Sequence, residues 1–172
     1  MDPYRPEGWH DFFLATAGGA AALTGLLFVA LSIHMRYIAA DGYFRNLARG
    51  SLLGLVSVLV VSLIVLVDQP ASWTGIELAL FAVLSILAEG WYDVISYRRL
   101  TGGRARSTLI RFCVGALAAL VGVVGGLTIA FQTGPGIYAI AVIVIVVTVW
   151  NLLNAWILLV GVTDEEIAQN AP

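Results

Sequence analysis

Apolar residues in this chain come in long unbroken runs separated by short polar segments, with no sustained alternation of period two. Five runs have the length that a bilayer-crossing helix needs, about 20 mostly apolar residues. They extend from Phe12 to Met35, Leu47 to Val67, Thr74 to Tyr97, Thr108 to Phe131 and Ile137 to Val160. The third is the least apolar, because it holds Glu77, Glu89 and Asp93. The fifth is rich in Val and Ile, which disfavour helix in water, but lipid leaves an unpaired backbone no alternative. A membrane barrel would show alternating segments of roughly ten residues. The pattern therefore predicts an all-α polytopic bundle of five spans, with residues 1–172 forming one transmembrane domain.

The segments between runs set the topology. Asp68 to Trp73 and Gln132 to Gly136 are turn-like, with Pro70, Gly134, Pro135 and Gly136. Short connectors make sequential helices antiparallel neighbours. Arg36, Arg45 and Arg49 follow the first run, and Arg98, Arg99, Arg104 and Arg106 follow the third. The other two connectors carry no basic residue, so the positive-inside rule places both Arg-bearing connectors in the cytoplasm. The N-terminus is then expected outside and the C-terminus inside. Trp9, Phe12, Phe13, Trp73, Phe131 and Tyr138 are expected at the outer interface. Tyr37, Tyr43, Phe44, Trp91, Tyr97 and Trp156 are expected toward the inner one.

Composition agrees with lipid as the solvent. Hydrophobic residues make up 60% and charged residues 12%, and a soluble domain of this length could not hide that much apolar surface. The net charge of −2 supplies no basic field for nucleic acid. All nine basic residues are Arg, which reads as codon bias rather than function. The lone Cys113 excludes an intrachain disulfide and is expected to be a small buried hydrophobe. The acidic flank before Phe12 and the length of the first run both argue against a cleaved signal peptide.

Small residues mark the faces where helices can approach closely, since lipid gives helices no hydrophobic reason to associate. Gly18 and Gly25 on the first span, Gly50 and Gly54 (with Ser57) on the second, and the Gly122–Gly126 GxxxG on the fourth are such positions. Packing within one protomer is the plain expectation, and contact with a second copy the alternative.

Ionisable groups inside a span usually face protein or water. Glu77, Ser85, Glu89, Asp93 and Tyr97 recur at steps of four or eight, close to one helix face. At 1.5 Å per residue, Glu89 lies about 12 Å and Asp93 about 6 Å from the cytoplasmic end of the third span. Arg111, Asn151, Asn154 and His34 reach comparable depths. Together these residues predict a polar pocket in the cytoplasmic half under an apolar outer half. One reading is an internal network, with Asp93 paired to Arg111 and Glu89 held by Asn151, Asn154 or His34. The other is a water-accessible cavity for an ion, proton or small ligand.

Catalytic and metal signatures are missing: there is no HExxH, no phosphate-binding glycine loop before a helix and no GxSxG elbow. The expectation is a protein without catalytic residues, cofactor or metal. The opening Trp9-x-x-Phe12-Phe13, the stretch Ala21 to Ile33, Gly75-Ile76-Glu77-Leu78 and Asn154 to Val160 resemble small actinobacterial membrane proteins of the kind called "modulator of FtsH protease". That resemblance covers most of the chain and implies a bacterial plasma membrane and the same topology, with no catalytic or ligand motif to carry over. Two functions are expected from it and the residues. The first is a non-enzymatic membrane protein acting on a membrane partner, such as a protease, or on a second copy. The second is a small oligomeric channel or transporter using the cytoplasmic polar pocket.

Overall fold

The computed structural model describes residues 6–40, 42–97 and 103–170; of residues 6, 7, 37, 89, 91–97, 103–108 and 162–170 it describes the backbone alone. Among the described residues every regular element is helical. A 3-10 turn, Pro6–Trp9, leads into α1 (His10–Ile33), followed by α2 (Met35–Ala40), α3 (Gly42–Leu66), α4 (Ala71–Tyr97), α5 (Gly103–Ala130) and α6 (Gly136–Asn170). All except the short α2 are long and apolar enough to cross a membrane. The five expected spans are present, but several helices overrun them. α3 starts five residues before Leu47, and α6 continues ten residues beyond Val160. Hydropathy marks only the portion in hydrocarbon, whereas a helix continues until its backbone bonding is broken.

The first expected connector is mostly helix. α1 stops at His34, whose backbone (φ −101°, ψ 16°) leaves the helical register. α2 then adds the buried Ile38 to an apolar cluster that also holds Phe44, Leu47 and Leu158.

The end of α5 has a defined stop. Gln132 sits in the left-handed region (φ 55°), Thr133 N–H donates to Thr128 C=O at 2.9 Å, and Gln132 N–H to Ile129 C=O at 3.1 Å. These are the two bonds of a Schellman cap, whose left-handed position favours glycine. Gln132→Gly should therefore raise stability by up to about 1 kcal/mol, seen as a higher unfolding midpoint in detergent. An unchanged or lower midpoint would count against this account of the cap. Pro135 then opens α6, accepting from the N–H groups of Tyr138 and Ala139.

Four helices, in the order α3, α6, α5, α4, form a ring, and α3 and α4 close it with the thinnest contact of the four. α1 stands outside the ring and packs along α3. The tightest seam is α4 against α5. A side chain at Gly126 would strike the carbonyl of Gly75 (2.6 Å) and the amide nitrogen of Ala79 (2.7 Å), and one at Gly122 would meet the Ala82 methyl at 3.0 Å. The GxxxG therefore packs inside the protomer, letting two backbones touch where dispersion is the main attraction. Gly18 and Gly25, with Gly19, behave differently. A side chain on any of them would meet nothing within 4 Å among the described residues. Cys113 is exposed rather than buried. A thiol is apolar enough to face hydrocarbon, so its apolar surroundings in sequence did not require a protein interior.

Two apolar clusters fill the two ends. One joins Phe13, Val58, Val65, Leu78, Ile129, Ile137, Ile140 and Val144, with Trp9 and Phe12 against it. Trp9 and Tyr138 meet edge to face at 4.7 Å between ring centroids, which sets the starts of α1 and α6 at the same end of the bundle. The other cluster joins Leu27, Leu31, Ile38, Phe44, Leu47, Leu55, Ala155 and Leu158 at the end that carries Arg36, Arg45 and Arg49.

Candidate binding cavity

A cavity of about 190 Å³ lies inside the four-helix ring, with walls from α3, α4, α5 and α6. Its polar lining gathers at the arginine-bearing end, where Asn46, Arg49, Arg111 and Asn151 stand with Trp150. Its walls are small, with Gly50, Gly54 and Ser57 on α3 and Gly115, Ala118 and Ala119 on α5. Its floor is Val58, Leu78, Ile140 and Val144, which belong to the apolar cluster at the opposite end. From Arg49 to Val61, both of which line it, α3 rises about 18 Å.

The glycines of α3 make room at the polar end. Gly50 lies directly against the Arg111 guanidinium, and Gly54 directly against the Asn151 amide; a side chain at either would overlap its partner. Arg111 is half-buried and donates from Nη2 to the Asn46 carbonyl at 3.4 Å, so it bridges α5 to α3. Asn151 donates from Nδ2 to Val147 C=O at 2.8 Å, and Asn154 to Trp150 C=O at 2.9 Å. Both amide NH₂ groups are thus held by their own helix. Thr148 is tied back in the same way, Oγ1 donating to Val144 C=O at 2.7 Å.

The expected pocket residues divide. Arg111 and Asn151 line the cavity, along with Ser85 from the polar stripe of α4. Asn154 is buried, next in sequence to Ala155 of the second apolar cluster, and does not line it. His34 sits at the α1–α2 break, its Nδ1 3.2 Å from Ala30 O, and does not line it either. The side chains of Glu89 and Asp93 lie outside the described residues, so the expected Asp93–Arg111 pair does too. Glu77, exposed at the other end, accepts from Gln69 Nε2 at 2.8 Å. Among the described residues no three His, Cys, Asp or Glu side chains gather as a metal site would need.

The sequence places Arg49 with the first arginine-bearing connector, and Asn46 lies just before the expected start of the second span at Leu47. The available signal was the spacing Asn46, Gly50, Gly54, Ser57, which falls on one helical face once α3 begins at Gly42. Arg111→Ala removes a charge-assisted bond between α5 and α3, a loss of about 1–3 kcal/mol. A detergent unfolding midpoint equal to the parent's would show that Arg111 does not brace the two helices.

Comparison with protein-family models, with curated proteins and with solved structures finds no match to this chain.

Proposed function

We propose that this chain is a non-enzymatic, multi-pass protein of a bacterial plasma membrane that binds a small ligand in the four-helix cavity, entered from the arginine-bearing, cytoplasmic end. The observation that carries this reading is the one-sided lining: polar at Arg49, Arg111 and Asn151, apolar at Ile140, Val144 and Leu78. Beyond it, α4 and α5 touch backbone to backbone at Gly75 and Gly126. A path across the bilayer would need polar or small lining through its full depth, so a site that stops short of the far side fits better than a channel.

Two measurements test it. Liposomes containing the parent or Glu89→Gln protein should pass no ion or small solute, and flux through the parent would overturn the one-ended reading. Acrylamide, a small polar quencher, should reach the indole of Trp150 at the mouth. The relevant signal is the part of the fluorescence lost in Trp150→Phe. An unquenchable Trp150 would close the cavity to solutes and end the proposal.

A second reading, action through contact with another membrane protein or another copy, is favoured by the bare face of α1. Gly18, Gly19 and Gly25 meet open space there, on a helix that stands outside the ring. The resemblance to modulators of a membrane protease points the same way. Gly18→Leu with Gly25→Leu should leave the protomer folded and release the bound protein. A co-purifying partner that is unaffected by both changes would reject this face.

A further inference from the structure

The cavity has an amphiphilic outline: donors at one end, an apolar floor at the other, and a weak lateral seam between α3 and α4. Leu53 of α3 lines the cavity and is also 37% exposed, so the α3 wall there borders the surroundings of the bundle. In a membrane those surroundings are acyl chains. The volume of about 190 Å³ exceeds the roughly 150 Å³ of an apolar cavity known to bind benzene, and a chain segment is the apolar body nearest at hand. At the arginine-bearing end, Arg49 and Arg111 both line the cavity, and each guanidinium carries five N–H donors. Arginine binds phosphate with two parallel bonds, so a headgroup phosphate can join the contacts these side chains already make. The mouth also lies at the end carrying Arg36 and Arg45, where anionic headgroups collect.

We propose that the ligand of this cavity is an anionic bilayer lipid, one acyl chain of which passes between α3 and α4 onto the floor at Val144 and Ile140 while its phosphate rests at Arg49 and Arg111. The inference rests on the one-ended binding cavity proposed above and names its occupant.

The test uses the full chain in vesicles. Phosphatidylglycerol or phosphatidylcholine with bromines at mid-chain is mixed at equal, low mole fraction into unlabelled phosphatidylcholine, and the Trp150 component is read as the difference from Trp150→Phe. Brominated phosphatidylglycerol should quench Trp150 at least twofold more than brominated phosphatidylcholine. Ala118→Phe or Ser57→Leu, which fill the cavity from opposite walls, should remove that preference. Trp156, exposed on α6 and outside the cavity lining, should be quenched equally by both lipids. Equal quenching of Trp150 by both lipids, with acrylamide quenching still blocked by Ala118→Phe or Ser57→Leu, overturns the lipid and leaves the binding cavity standing. If neither brominated lipid nor acrylamide reaches Trp150, both proposals fall. A lipid preference that survives in both filled variants that still fold places the lipid elsewhere on the surface and overturns the inference.

Discussion

Gly126→Leu should unfold the bundle at a much lower temperature than the same change at Gly122 or Gly18, because like Gly75 and Gly136 it faces backbone rather than a yielding side chain. Adding bulk to a packed interior costs typically 1–3 kcal/mol when neighbouring side chains can yield. The atoms facing Gly126 are the Gly75 carbonyl and the Ala79 amide, which cannot turn aside without moving α4 as a whole. A penalty of about 3 kcal/mol or more is expected, at the upper end of that range. Gly122→Leu should cost less, because its neighbour is the Ala82 methyl at 3.0 Å. Gly18→Leu, in open space, should leave the protomer's unfolding midpoint where it was. Size-exclusion profiles after heating in detergent give the ranking directly. A Gly126→Leu protein as heat-resistant as Gly18→Leu would mean that the α4–α5 seam is not held by backbone contact.

The second large effect is expected at Gly54. In Gly54→Val the new side chain occupies the place of the Asn151 amide. Asn151 must then leave its bond to Val147 and swing into the cavity or push α6 outward. Access of acrylamide to Trp150 should fall several-fold, and stability should drop by about 2 kcal/mol, from overpacking and a displaced polar group together. A double-mutant cycle separates steric conflict from general helix damage. Asn151→Ala in the Gly54→Ala background should recover most of the loss, with a coupling of about 1–3 kcal/mol, since the two residues touch. Additive losses would show that Gly54 and Asn151 do not share one space.

Much of this architecture is legible in the sequence for a simple reason. In hydrocarbon the backbone must bond to itself, so each apolar run of sufficient length reports a helix whatever its β-branched content. That is why the Val- and Ile-rich fifth run gives a helix as regular as the others. Boundaries are less legible, because helices outlast their apolar stretch. α3 absorbs Tyr43, Arg45 and Asn46, and this extension brings Asn46 and Arg49 to the cavity mouth.

Small residues show the limit of reading from spacing. Gly18 and Gly25, Gly50 and Gly54, and Gly122 and Gly126 all look alike as helix-packing positions. One pair faces open space, one seats polar side chains at a cavity, and one lies in the α4–α5 seam, where Gly126 meets backbone and Gly122 a methyl group. What separates them is the identity of the neighbouring helix, and α3 meets α6 across two intervening spans. Polar residues show the same limit: Asn151 and Asn154 stand one turn apart, yet only Asn151 reaches the cavity.

The pairing of α3 with α6 also sets an order of assembly. α1 and α3 are adjacent in the chain and can pack as soon as both have entered the bilayer, and α4 and α5 can do so next. Until α6 arrives, these are two hairpins with only the thin α3–α4 contact between them. Val144, Val147, Trp150 and Asn151 all come from that last helix. The cavity is therefore completed only by the fifth span: a nascent chain halted before Gly136 has the α1–α3 and α4–α5 seams but lacks the wall that α6 supplies.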